Sequence, residues 1–240
     1  MGAYTYTRDQ FQASKVTHVT ANTAPAGSSI DDAEVDRFSK LSALWWDADG
    51  PFRPLHQLNP VRLKYIRDHL CRQFNRDPSQ PRPLGGLHIA DIGCGGGLLC
   101  EPMRRLGAAV VGVDPSEENI KAAKAHAATM GLDIDYVQAT AEDLSAWGEK
   151  FDVVLNMEVV EHVADVPGFL QACASLFRSD DSSMVVATLN RTVKAYLLAI
   201  VGAEYVLGWL PKGTHDWNRF IRPSEFRRYL AAANLEIKNL

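Results

Sequence analysis

The stretch LHIADIGCGGG, residues 87–97, decides the fold. LHIADIG (87–93) reads as a buried strand that runs into a glycine loop, and Glu101 to Leu106 lies on the helix that follows. Glycines at such a junction let the backbone come close to a nucleotide-like ligand. The dinucleotide fingerprint GxGxxG would need a glycine at 98, where Leu98 stands. An acidic residue, Asp91, ahead of GxGxG suits S-adenosylmethionine better, because that molecule has an ammonium end and no pyrophosphate. Asp114 follows Gly93 by 21 residues, at the tip of the next strand, AAVVGVD (108–114). A carboxylate there can take both ribose hydroxyls. The plain alternative is a strand–helix turn with no ligand, and Asp91 and Asp114 in register argue against it.

Outward from this unit the pattern repeats. Strands are expected at 133–139, 151–157 and 182–189, with helices at 116–130 and 165–178. Further helices are expected near 192–208 and 223–233, and LEIKNL (235–240) can start a sixth strand. Short apolar strands alternating with helices imply an α/β fold, a mostly parallel, Rossmann-like sheet flanked by helices. Upstream lies an N-terminal helical region, 31–86. Asp31 or Asp32 can cap a first helix, with Val35, Phe38, Leu41 and Trp45 at helical spacing. A proline-containing loop, 47–58, follows. Asn59-Pro60 then restarts a helix, with Leu63, Ile66, Leu70 and Phe74 as its buried stripe, before a linker at 75–86. Residues 1–30 read as a mobile tail, and 87–240 as the main domain, with 192–220 as a lid-like insertion.

Composition bounds the function. With 240 residues the chain can bury a sizeable core. Apolar residues at 46% and charged residues at 22% exclude a disordered chain, a fibre or a coiled coil. The net charge of −4 gives no reason to expect nucleic acid as a partner. Cys71, Cys94, Cys100 and Cys173 form no CxxC pair, which argues against a zinc knuckle and for a reducing compartment.

More candidate site residues stand at the ends of the expected strands. Glu142 and Asp143 follow strand three, where an adenine edge would lie, or form a solvated turn. Met157 ends strand four, covering a cofactor or filling core. Glu158, Glu161 and His162 fall at i, i+3 and i+4, so one helical turn can aim all three the same way. Two carboxylates and an imidazole suit a divalent cation. The alternative is an acidic pair that favours a helix N-terminus.

Taken together, several runs resemble the ubiquinone-biosynthesis O-methyltransferases. They are DAEVDRFSKLSALWWDADGPFRPLHQLNPVRLKYI (32–66), DIGCGGGLLCEPMRRLGAAVVGVDPSEENIKAAKAHA (91–127), EVVEHV (158–163), TLNR (188–191) and VGAEYVLGWLPKGTHDWNRFIRPSE (201–225). The resemblance implies the class I methyltransferase fold and S-adenosylmethionine-dependent methylation of polyprenylated catechol- or phenol-type intermediates at two steps. It implies cofactor contacts at Arg62, Gly93, Gly95, Asp114 and Met157, and a magnesium site at Glu158, Glu161 and His162. It also implies other ubiquinone-biosynthesis enzymes as partners. The rival functions are methylation of another small phenol and non-catalytic binding of lipid or cofactor. Two departures stand out: RSDDSS (178–183) replaces a Lys-Pro-Gly-Gly turn, and family members continue past the counterpart of Leu240 through a closing hairpin. The expectation from the second is an incomplete sheet edge.

Methyl transfer from a sulfonium is an in-line displacement, so the protein's work is alignment. An ordinary phenol titrates near ~10 and must be activated by a metal or a general base. Glu158 and His162 are the candidates for either route. AYLLAIVGAEYVLGWLP (195–211) is too short and, with Glu204, too polar to span a bilayer. Tyr205, Trp209 and nearby basic residues such as Lys212, Arg219, Arg222 and Arg227 suit the surface of an anionic membrane. The expected location is cytoplasmic, peripheral on the inner membrane of a bacterium, or the matrix side in a eukaryotic mitochondrion.

Overall fold

The computed structural model describes residues 29–188 and 221–238. Five parallel strands form its sheet: β1 (His88–Ile92), β2 (Ala109–Asp114), β3 (Asp135–Gln138), β4 (Val153–Met157) and β5 (Ser183–Ala187), in the order β3-β2-β1-β4-β5. The order reverses between β1 and β4, and in open α/β sheets ligands bind at the carboxyl ends of the strands beside such a switch. Helices α3 (Cys100–Arg105), α4 (Glu117–Thr129), α5 (Ala141–Ala146) and α6 (Val166–Ser175) connect the strands. The N-terminal region supplies α1 (Asp32–Ser39), a 3-10 turn at Ser42–Leu44 and α2 (Arg53–Gln73), and α7 (Pro223–Ala232) closes the described chain.

Neighbouring residues of each strand face opposite sides, so the sheet has two cores. Ile89, Val110, Val153 and Leu155 pack with Ile66, Leu70, Met103 and Ile120. Ala90, Ile92, Val113 and Val154 pack with Leu144, Phe169, Leu170 and Leu230. Polar caps set the helix starts: Asp31 accepts from Ala33 and Glu34, Ser116 from Asn119, and Asp165 from Gly168. Thr140 and Asp143 form a reciprocal capping box.

Three expectations need correction. The second helix does not restart at Asn59-Pro60 but runs from Arg53 with Pro60 inside it. Pro54 already occupies the first turn, and Asn59 is buried and donates to the Leu98 carbonyl at 3.2 Å, anchoring α2 to the loop after β1 instead of capping. The first helix ends at Ser39, so Leu41 and Trp45 lie beyond it, around the 3-10 turn. Residues 235–238 are not a strand, and Leu235 and Ile237 pack instead against the second core. The RSDDSS turn closes on itself, because Ser182 Oγ accepts from the N–H groups of Arg178 and Ser179 at 3.1 Å and donates to the Phe151 carbonyl at 3.0 Å. Among the described residues β5 is a sheet edge, and a groove of about 980 Å³ lined in part by Tyr65, Met184, Phe226 and Leu235 runs beside it. The segments 1–28 and 189–220, which include the expected helix near 192–208 and the apolar stretch 195–211, lie outside the described residues.

Candidate active site

Strands β1 and β2 end side by side, and their terminal acids define the site. The N–H groups of Gly93 and Cys94 both donate to the Val113 carbonyl, at 2.8 and 3.0 Å, tying the glycine loop to the end of β2. Gly95 N–H then donates to Asp114 Oδ2 at 3.0 Å. Asp114 Oδ1 accepts from Ser116 N–H at 2.9 Å and from Asn119 Nδ2 at 3.1 Å. With two acceptor positions per carboxylate oxygen, Oδ1 is filled and Oδ2 keeps one position. The carboxylate is therefore set to take one ligand hydroxyl at Oδ2 rather than a pair across both oxygens. Asp114 is 7% exposed, and burial raises its pKa against the three hydrogen bonds.

Asp91 is buried more deeply. Burial pushes its carboxyl up to about 7, against the lowering effects of a Cys100 thiol that donates to Oδ2 at 3.1 Å and of the Arg62 charge. The same burial raises Cys94 to about 11 and Cys100 further, so neither thiol is a nucleophile at neutral pH. All four cysteines are free and buried.

The loop's glycines have two different reasons. Gly95 has φ +52°, and a Cβ there would lie 2.4 Å from the Trp45 ring. Gly97 has φ +88°, and its Cβ would lie 2.3 Å from the Tyr136 hydroxyl. Trp45 lies over Gly95 and Gly96, stacks on Phe52 at 3.7 Å between ring centroids, and donates from Nε1 to Asn119 Oδ1 at 2.8 Å. Trp46 donates to the Gly96 carbonyl at 2.9 Å and stacks on His126, whose Nδ1 lies 2.6 Å from the buried Glu101 Oε1. Trp45, Trp46 and Asn119 were not singled out as site residues from the sequence. The Trp-Trp doublet and the Ser-x-x-Asn run at 116–119 are the signals that mark them.

The segment after β4 does not build the expected metal cluster. Glu158 sits outside any helix, at φ +59°, and only Val160–His162 forms a 3-10 turn. The three donors therefore do not share one α-helical face. Glu158 pairs with Arg62 of α2. Glu161, 4% exposed, accepts from Thr188 Oγ1 at 2.8 Å. His162 Nδ1 lies 2.7 Å from Glu34 Oε2 of α1, and Phe38 meets the His162 ring edge-on at 5.2 Å. Among the described residues no cluster of three His, Cys, Asp or Glu side chains can hold a metal ion. As arranged, these donors do not fit magnesium.

Other expected residues are brought to the same edge of the sheet. Arg62 is buried and also donates to Asn59 Oδ1 at 3.5 Å. Met157 is partly buried against the first core. Both Glu142 carboxylate oxygens and both Asn156 amide atoms are buried without a hydrogen-bond partner among the described residues. Asp143 is committed to its capping box, so of the acidic pair only Glu142 is open to a ligand. Buried polar groups are normally paired, so these orphans at the ends of β3 and β4 point to a polar ligand that completes them.

Fold and site together define a class I methyltransferase, and the comparisons agree. A family profile described as "Methyltransferase domain" matches residues 90–182. A magnesium protoporphyrin IX methyltransferase from Synechocystis shares the fold, with a TM-score of 0.60 at 20% identity over 90% of this chain and 91% of that one. A ubiquinone biosynthesis O-methyltransferase of Brucella anthropi is 57% identical over 90% of this chain and 86% of its own length. One from Mesorhizobium japonicum is 58% identical over 89% and 85%. The chain belongs to the ubiquinone biosynthesis O-methyltransferase family.

Proposed function

We propose that the chain uses S-adenosylmethionine to O-methylate polyprenylated catechol- or phenol-type intermediates at both O-methylation steps of ubiquinone biosynthesis. The observation that carries this reading is the buried acid pair, Asp91 and Asp114, at the ends of adjacent strands on either side of a glycine loop. A cationic ligand with ribose hydroxyls complements that pair. Gly93 and Gly95 give it backbone access, Asp114 takes a hydroxyl, Asp91 faces the ammonium end, Glu142 accepts from the adenine amino group, and Arg62 and Met157 complete the wall. Bound there, the cofactor supplies an electrophilic methyl group.

The rest of the mechanism belongs to the chain. His162 is the general base for the phenol proton, and Glu34 holds its ring through Nδ1, as a carboxylate orients an imidazole in other base pairs. Glu158 stays paired with Arg62 and holds α2 against the carboxyl edge of the sheet. Because the three donors of the β4 segment are committed to three other partners, no step runs through a metal. Transfer of a labelled methyl group to a short-chain prenyl catechol tests the reading. Product is expected with wild type, and His162→Gln should lose on the order of 10²-fold in kcat. No transfer by wild type overturns the substrate assignment.

Peripheral binding to an anionic membrane, on the cytoplasmic side of a bacterial inner membrane, belongs to the same proposal. It is supported by the interfacial composition of residues 195–211 and by the place of a polyprenyl tail in the bilayer. No described helix is long and apolar enough to cross a membrane. Flotation with phosphatidylglycerol vesicles at low salt is expected, and its failure overturns the membrane reading.

A further inference from the structure

We propose that Trp45 is a positioning residue for ribose recognition, acting through Asn119 on Asp114. The inference rests on the methyl-donor reading above and adds a residue to it. Asn119 is 2% exposed and has a donor end and an acceptor end. Trp45 Nε1 can only donate, so the amide atom 2.8 Å from it must be oxygen. The amide nitrogen then faces Asp114 Oδ1 at 3.1 Å. A reversed amide would set a donor against the indole N–H and an oxygen against a carboxylate, and both contacts would repel. The indole N–H thus selects the amide orientation, and the amide fills Asp114 Oδ1. Oδ2 then holds Gly95 and keeps a single open position. The chain of donors runs from the N-terminal helical region to the one acceptor left for a ligand hydroxyl.

The N–H and the ring of Trp45 do separate work. The ring stacks on Phe52 and lies over Gly95 and Gly96, while the N–H serves only Asn119 among the described residues. Trp45→Phe keeps an aromatic ring in that place and deletes the donor. Calorimetry on the full chain with S-adenosylhomocysteine and its 2′,3′-dideoxy analogue separates the two roles. Trp45→Phe is expected to weaken S-adenosylhomocysteine about tenfold and the dideoxy analogue less than about twofold, shrinking the ratio between them. Asn119→Ala is expected to shrink the ratio equally, and the double variant no more than Asn119→Ala alone. Equal losses on both ligands, or additive losses in the double variant, overturn the relay. If Trp45→Phe fails to fold, an unchanged ratio in Asn119→Ala overturns it alone. Failure of wild type to bind S-adenosylhomocysteine overturns the methyl-donor reading and the relay with it.

Discussion

The loop after β1 and the segment after β4 leave the same edge of the sheet carrying acidic side chains, yet they are built in opposite ways. The glycine loop turns inward: Gly93, Cys94 and Gly95 spend their N–H groups on Val113 and Asp114, and two buried acids end up on either side of a ligand-sized backbone surface. The β4 segment turns outward: Glu158, Glu161 and His162 reach α2, the residue after β5, and α1. A site arises in the first case because backbone donors converge on side chains that cannot move away. In the second, flexible side chains of the same charge type find separate partners, and the segment becomes a fastening point for the N-terminal helices.

The contrast makes four demands. Gly95→Ala should be the most damaging change. It forces alanine to φ +52° and puts a Cβ 2.4 Å from the Trp45 ring, so S-adenosylhomocysteine should bind at least about 100-fold more weakly by calorimetry, a loss of ~2.7 kcal/mol.

Asp91→Asn should move affinity and stability in opposite directions. The wild-type carboxyl titrates near 3.8 unfolded and about 7 folded, so the folded state binds more protons between those values. Wild-type stability therefore falls as pH rises through that window and is level above it. The Asn variant lacks this penalty. In thermal denaturation without ligand it should gain up to about 2–4 kcal/mol at pH 8 and nothing near pH 4, while cofactor affinity drops. A variant less stable than wild type at pH 8 would show that Asp91 is held ionised by the fold.

Glu158→Gln tests the fastening role. It leaves Arg62, 8% exposed at its side chain, without its carboxylate, and should cost about 1–2 kcal/mol of stability in denaturant unfolding. The smallest change expected is from exhaustive chelation, which should alter the methyl-transfer rate by less than about twofold, because each donor of the segment already has a protein partner. Strict dependence on added magnesium would mean that the segment rearranges into the one-turn cluster its spacing suggested.

Strands, caps and the glycine loop were legible because their causes are local. An alternating run of short apolar segments with Asp31, Ser116 and Asp165 ahead of the helices needs no knowledge of distant chain. Gly93, Gly95 and Asp114 were legible for the same reason. The start of α2 was misread because Asn59-Pro60 has the pattern of a helix start, while the contact that overrides it, Asn59 to Leu98, joins residues 39 apart. Trp45 was read as one more apolar position, and its indole N–H finds Asn119 across 74 residues. The spacing of Glu158, Glu161 and His162 predicted convergence, which holds only on an α-helix; the left-handed Glu158 and the short 3-10 turn remove that condition.

From the order of residues came a parallel α/β sheet and a glycine loop with acids at adjacent strand ends, because strand period, helix capping and glycine's backbone freedom act over a few residues. Where the N-terminal helices dock could be seen only in the folded chain. That docking sets Trp45 over the loop, closes the path from Trp45 to Asp114 and divides the β4 donors among Arg62, Thr188 and Glu34. The physical reason is that a buried donor or charge takes whichever partner the packing brings within about 3 Å, and packing is a property of the whole fold.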